Sequence, residues 1–308
     1  MVRDNDEEFN IYKFENTRKI DFKRIIMFIL ILIFFILIIC TINNITIIIN
    51  EHNFYKQYET QLDVLRYQDE ERQRKLAEET ERIKKERNPV LTEEGINNIE
   101  NIYNSDKKIA YLTFDDGPSP VTESILDTLK EEKVKATFFV LGSNVSGREE
   151  IVKRMYDEGH YIANHGYSHV YSQIYSSPQS VLDEYNECNE KVREAIGNPE
   201  YNSHLFRFPG GLPGGKYAGL KQEAKELLNE NNIVNIDWNT LNGDAETNDL
   251  TSEFELQRLS ETVGEKNSIV VLMHDAAFKK VTADTLPQII AALREKGYEF
   301  DNFYSIIK

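Results

Sequence analysis

The pattern of apolar and polar positions divides the chain into three parts. Residues 25–40 are sixteen apolar side chains in succession, and Thr41, Ile42 and the patch 45–49 extend the run. A helix of that length crosses a bilayer core of roughly 30 Å. Residues 51–88 contain no glycine or proline and are dense in Glu, Gln, Lys and Arg. Glu70/Arg74, Glu71/Lys75, Glu78/Arg82 and Glu81/Lys85 fall four apart with the acid first, the favourable order on a helix. Tyr58, Leu62, Leu65, Leu76 and Ile83 follow a heptad seam that Asp69 and Arg72 interrupt. This predicts a solvated helical stalk with a weak coiled-coil character, roughly 57 Å long if fully helical. Asn88-Pro89 ends it.

From Lys108 onward short apolar runs alternate with longer amphipathic ones. Strands are predicted at 109–114, 136–141, 160–163, 204–207, 233–237 and 268–273, and helices at 121–132, 148–158, 178–196, 217–231, 252–263 and 283–296. Such alternation predicts an α/β domain with a largely parallel sheet, open or closed into a barrel. The predicted division is a cytoplasmic tail at 1–24, a transmembrane helix at 25–49, the stalk at 50–88, a linker at 89–107 and a catalytic-size domain at 108–308.

Charge orients this plan. Lys19, Lys23 and Arg24 precede the apolar run and Glu51 follows it, so the basic side stays cytoplasmic and everything after residue 50 lies outside. A cleaved signal peptide is the rival, but no small-residue cleavage site follows the run. Ile39 before Cys40 also argues against a lipid-attachment cysteine. Residues 89–308 carry 21 basic and 36 acidic side chains, a net of −15. So acidic a domain repels phosphate backbones, which excludes nucleic acid as a partner. Cys40 and Cys188 make no disulfide framework.

Four stretches carry candidate chemistry. In 111–118 a buried strand ends in Asp115-Asp116-Gly117-Pro118, leaving two carboxylates at the carboxyl end of a strand, where α/β crevices open. Neighbouring strand residues point to opposite faces, so one carboxylate is free to hold a metal and the other to act as a base; a solvated turn is the plain alternative. His165 and His169 are four apart, a spacing used by zinc-binding pairs, and Gly159 and Gly166 place them on a strand-end loop. Arg207-Phe208-Pro209-Gly210 follows a short strand, where an arginine can grip a carboxylate with two prongs. The strand 268–273 delivers His274 and Asp275 at its end.

In this order and at these spacings the four stretches resemble the polysaccharide deacetylases, carbohydrate esterase family 4, over roughly residues 108–308. The resemblance implies a distorted (β/α) barrel of the NodB homology type. It implies Asp115 as general base, and Asp116, His165 and His169 as ligands of a divalent metal, usually Zn2+ with Co2+ as an alternative. It further implies Arg207 set against the base, the Gly210 N–H as an oxyanion donor, and His274 as general acid tuned by Asp244. Leu272 would line the acetyl pocket, with Pro209 and Trp238 beside the substrate. Two positions depart from the family pattern. Ala245 stands where an aromatic closes the groove, and Gly166 stands where a Ser or Thr braces the ligand loop, a role open to Ser168.

The chemistry suits amide hydrolysis, which needs an activated water, a place for negative charge and a proton for the departing amine. The same ligand set also serves iron oxygenases, but that leaves Asp115, Arg207 and His274 without roles. The expectation is therefore a membrane-anchored deacetylase of cell-wall glycan, with peptidoglycan N-acetylglucosamine as first substrate and weak self-association through the stalk. A non-catalytic wall-binding protein and a deacetylase of chitin oligomers or O-acetyl esters are the alternatives.

Overall fold

The computed structural model describes residues 22–307. Most of the predicted cytoplasmic tail, with Lys19, lies outside the described residues. Phe22–Glu86 forms one uninterrupted helix of 65 residues, α1. Its N-terminal part, residues 25–49, is exposed and is long and apolar enough to cross a membrane. Along the polar part Glu71 pairs with Lys75 at 3.5 Å, and i,i+3 pairs form beside it, Glu79–Arg82 at 2.9 Å and Glu81–Lys84 at 3.1 Å. Among the described residues, those up to Ala77 make one compact unit and Glu78 onward another.

The second unit is an eight-stranded, all-parallel sheet with helices outside. In chain order it runs β1 (Ile109–Asp115), α3 (Pro120–Glu131), β2 (Thr137–Val140), α4 (Gly142–Val145), α5 (Glu149–Asp157) and β3 (Tyr161–Asn164), after α2 (Glu93–Glu100). Then follow α6 (Tyr171–Ile174), α7 (Pro178–Ile196), β4 (Leu205–Phe206), α8 (Ala218–Glu230), β5 (Val234–Asn235) and β6 (Thr240–Leu241). The chain closes with α9 (Ser252–Val263), β7 (Ser268–His274), α10 (Lys280–Glu295) and β8 (Glu299–Asp301). Spatial order is β5-β4-β3-β2-β1-β7-β6. β1 pairs with β7 along its whole length, and its other edge is shared between β8 at 109–111 and β2 at 113–115. β5 and β6 are not paired with each other, so the curled sheet stays open on that side.

Alternation along the strands separates two cores. Leu112, Phe114, Phe138, Val140, Ile162, Val271 and Met273 face outward and pack under α3, α5, α7, α9 and α10, with Ile83 of α1 against the same cluster. Tyr111, Phe139, Tyr161, Leu205, Val234 and Val270 face inward. This inner face is filled by Ile99 of α2, by Ile102 in a 3₁₀ turn (Ile102–Asn104), and by Phe303, Ile306 and Ile307 at the C-terminus.

That filling corrects one expectation. The stretch 89–107, read as a linker, carries α2, capped by the Thr92 side chain accepting from the Gly95 N–H. Its apolar residues Ile96, Ile99 and Ile102 recur every third position among polar ones, enough to close the barrel floor but too short to register as a helical period. β6 and β8, with two and three residues, are likewise too short to show alternation.

Candidate active site

Strand ends converge at the carboxyl edge of the sheet. Asp115, the last residue of β1, is 2% exposed, and Arg207, just beyond β4, is fully buried. The Arg207 guanidinium donates to Asp115 Oδ1 and to Thr113 Oγ1, both at 2.8 Å. It also donates to the carbonyls of Ile236 and Asp237, both at 3.1 Å, and lies 3.9 Å above the Phe139 ring. Oδ1 is thereby held, while Oδ2 turns toward His165, 3.9 Å from its Nε2. Burial raises the Asp115 pKa above the usual carboxylate range, with Arg207 opposing it. The two-pronged grip expected of Arg207 is a single contact to Oδ1, and desolvation outweighs the guanidinium.

The next residue turns the other way. Asp116 has φ 75, and Asn144 Nδ2 pins its carbonyl at 2.8 Å. Its Oδ1 lies 3.5 Å from His165 Nε2 and 3.4 Å from His169 Nε2, and the three ligand atoms fall within 4.8 Å of one another. This buried oxygen has no hydrogen-bond partner. His165 Nδ1 is engaged by the Arg207 carbonyl at 2.7 Å, which places its proton there and leaves the Nε2 lone pair facing Asp116. Burial, partly opposed by Asp116, lowers the His165 pKa to about 3, so its imidazole is neutral. His169, at φ 57, shares the left-handed backbone of Asp116. Non-glycine residues held there cost energy and cluster at functional sites. An orphaned carboxylate oxygen and two imidazole nitrogens are a donor set suited to a divalent cation.

Opposite, His274 closes β7. Its Nδ1 lies 2.7 Å from Asp244 Oδ1, and its backbone N–H donates to Asp244 Oδ2 at 2.7 Å. Thr282 donates to the same Oδ2 at 3.1 Å. Burial lowers the His274 pKa, but the Asp244 hydrogen bond and charge, with Asp115 and Asp116 behind, outweigh it and raise the net value to about 9. Leu272 shares the inward face of β7, two residues earlier, and is 8% exposed. Trp238 packs partly buried against the inner core and crowds Gly211, so its ring braces the loop after Arg207 as well as facing it. Pro209 is buried, its carbonyl accepting from the Tyr175 hydroxyl at 2.7 Å. The Gly210 N–H has no hydrogen-bond acceptor among the described residues.

Two supports escaped the sequence reading. Glu184 on α7 reaches back to the loop between the histidines, accepting from the Tyr167 and Ser168 N–H groups at 2.9 Å each and from the Ser168 hydroxyl. Gly166, at φ 90, makes room: a Cβ there would lie 2.9 Å from Ile174 and 3.1 Å from Glu184. Ser168 therefore braces the loop as expected, but through a partner sixteen residues away. Asp275, fully buried, donates its N–H to the Asp115 carbonyl at 3.0 Å and accepts from Thr122 at 2.6 Å. It wedges behind the Asp116-Gly117 turn so closely that a Cβ on Gly117 would lie 2.0 Å from it. Neither contact has a local sequence signal, since both join distant segments.

Comparisons with known proteins point to one family. A family model described as polysaccharide deacetylase matches residues 103–229. The chain is 34% identical over 203 residues to a peptidoglycan-N-acetylglucosamine deacetylase of Bacillus cereus, covering 65% of this chain and 70% of that one. The catalytic domain of a peptidoglycan N-acetylglucosamine deacetylase from Eubacterium rectale superposes with a TM-score of 0.59 at 33% identity, covering 63% of this chain and 88% of that one. A Streptococcus mutans CE4 esterase superposes with a TM-score of 0.61 at 32% identity, over 70% of this chain and 92% of that one. By sequence, by fold and by the order of its strand-end residues, the chain belongs to the polysaccharide deacetylase family.

Proposed function

We propose that this protein is a metal-dependent hydrolase that removes N-acetyl groups from cell-wall glycan, with the N-acetylglucosamine of peptidoglycan as its substrate. The observation that carries the reading is the separation of three tasks around one crevice. Asp116, His165 and His169 face one another across an unsatisfied buried oxygen, Asp115 stands beside them with one free oxygen, and His274 is held by its own carboxylate. The first three would hold a divalent ion, Zn2+ or Co2+, which would supply Lewis acidity and acidify a water.

The protein's own groups then divide the work. Asp115 Oδ2 takes a proton, since Oδ1 is occupied by Arg207, and burial raises its affinity for that proton above that of an ordinary carboxylate. The Gly210 N–H is a free donor for the developing charge on the acetyl oxygen. His274, charged at neutral pH, gives the departing amine its proton from Nε2, because Nδ1 is held by Asp244. Leu272, Pro209 and Trp238 shape the substrate side of the crevice.

The substrate assignment draws on the relatives, two of which are peptidoglycan N-acetylglucosamine deacetylases, and on the apolar helix at 25–49. That helix would hold the domain on the outer face of the membrane, within reach of the wall, and the exposed helix that follows would let copies pair weakly. Acetate released from isolated peptidoglycan, lost with a chelator and restored by zinc, is the expected result. Acetate from chitin oligomers alone would overturn the substrate, and no chelator-sensitive release from any acetylated glycan would leave a non-catalytic binder.

A further inference from the structure

The short helix α6 begins with Tyr171, two residues after His169. Its ring is 40% exposed and stands edge-on to His169, with centroids 5.6 Å apart. A second edge-on contact joins it to Tyr175 at 5.5 Å, and Tyr175 is fastened to the Pro209 carbonyl by its own hydroxyl. The two tyrosines therefore lean over the loop that follows Arg207. Over Gly210 the approach is tightest: with that residue at φ 75, a Cβ would lie 2.6 Å from the Tyr171 hydroxyl oxygen and 3.4 Å from the ring carbon that bears it.

Tyr175 satisfies its hydroxyl within the protein, whereas the Tyr171 hydroxyl makes no hydrogen bond among the described residues. The Gly210 N–H is likewise without an acceptor. Two unspent donors thus belong to residues in close approach, next to a histidine of the ion cradle. Donors left open beside an ion cradle are what an acyl oxygen needs when it gains charge. The absence of a side chain at 210 is what admits the tyrosine.

We propose that Tyr171 is a substrate-binding residue whose hydroxyl joins the Gly210 N–H in holding the oxygen of the acetyl group. The inference rests on the reading of Gly210 as an oxyanion donor and adds a side chain to it. A donor used in this way tightens as charge develops, so its loss lowers kcat more than it raises KM.

The test is Tyr171→Phe in the full-length, zinc-loaded protein, with isolated peptidoglycan as substrate and released acetate as the readout. The expected result is a kcat lower by about tenfold to a hundredfold, with KM and zinc content near wild type. The affinity of the zinc-loaded protein for acetate, by calorimetry, is expected to weaken in the same variant, a readout independent of turnover. Gly210→Ala is expected to cost less in the Tyr171→Phe background than in wild type, because the hydroxyl that its methyl would strike is gone. Wild-type kcat and acetate affinity in Tyr171→Phe would overturn the inference. So would a rise confined to KM, which would make the ring a wall and nothing more. These outcomes are separable from failure of the functional reading, which would appear as wild-type turnover in Asp115→Asn.

Discussion

Replacing Asp244 by Asn probes His274, the proposed proton donor. Asp244 accepts from His274 Nδ1 through one oxygen, and from the His274 N–H and Thr282 through the other. An asparagine has one acceptor oxygen, so one side of this arrangement is lost in either orientation. The His274 pKa stands at about 9 against an ordinary 6.5, a gap of about 2.5 that corresponds to about 3 kcal/mol in favour of the imidazolium. Burial acts in the other direction, so without the carboxylate the imidazole returns to its ordinary value or below. At pH 7.5 wild-type His274 is almost wholly charged, while the variant retains roughly a tenth of that form. The expected result is an alkaline limb of kcat/KM that moves from about pH 9 to pH 6.5 or lower, with at least a tenfold loss at pH 7.5. Acetate release from peptidoglycan across pH 5–10 reads this directly. Stability carries the same signature. Because the folded pKa is raised, the stabilisation is fully present below about pH 6.5 and disappears as pH rises through about 9. Thermal midpoints of wild type should therefore fall across that window relative to Asp244→Asn. An alkaline limb at the same pH in both proteins would refute the assignment of His274 as the proton donor set by Asp244.

Other perturbations separate the remaining groups. Asp115→Asn is expected to abolish turnover while one zinc per chain remains by elemental analysis, whereas His165→Ala loses both. Arg207→Met leaves Asp115 buried without its partner, a loss of about 3–5 kcal/mol; in a domain of this size the thermal midpoint drops on the order of 10 °C, and an unchanged midpoint would deny the pair its structural weight. Glu184→Ala releases the loop between the histidines and should weaken zinc affinity by about tenfold to a hundredfold, measured by competition with a chromophoric chelator, with the far-ultraviolet circular dichroism spectrum unchanged.

The chemistry was more legible in the sequence than the architecture around it. Asp115-Asp116, His165/His169, Arg207 and His274 each follow an apolar run, and strand ends are marked by local composition; that they meet in one place was implied by the family resemblance of the four stretches. The buried strands and the longer helices were visible for the same reason. What could not be read is what depends on long-range packing. α2 looked like a linker because its apolar face serves the barrel interior, which no local pattern describes. Glu184 lies on a helix the sequence predicts with nothing local to mark it, yet it holds the loop on which both histidines stand. Gly166 looked like a defect and is the opening through which that carboxylate enters. The raised pKa of Asp115 comes from complete burial, which no local pattern shows, whereas the arginine beside it is evident in sequence.

The central claim is that Asp116, His165 and His169 gather on one divalent ion beside a free base. Zinc-edge X-ray absorption of the loaded, full-length protein tests it most directly, with His165→Ala as the control. The account predicts one tightly bound zinc per chain, with two imidazole nitrogens and oxygen ligands near 2.0–2.1 Å, and loss of that shell in the control. A zinc surrounded by oxygen alone, or a spectrum unchanged by His165→Ala, would contradict it.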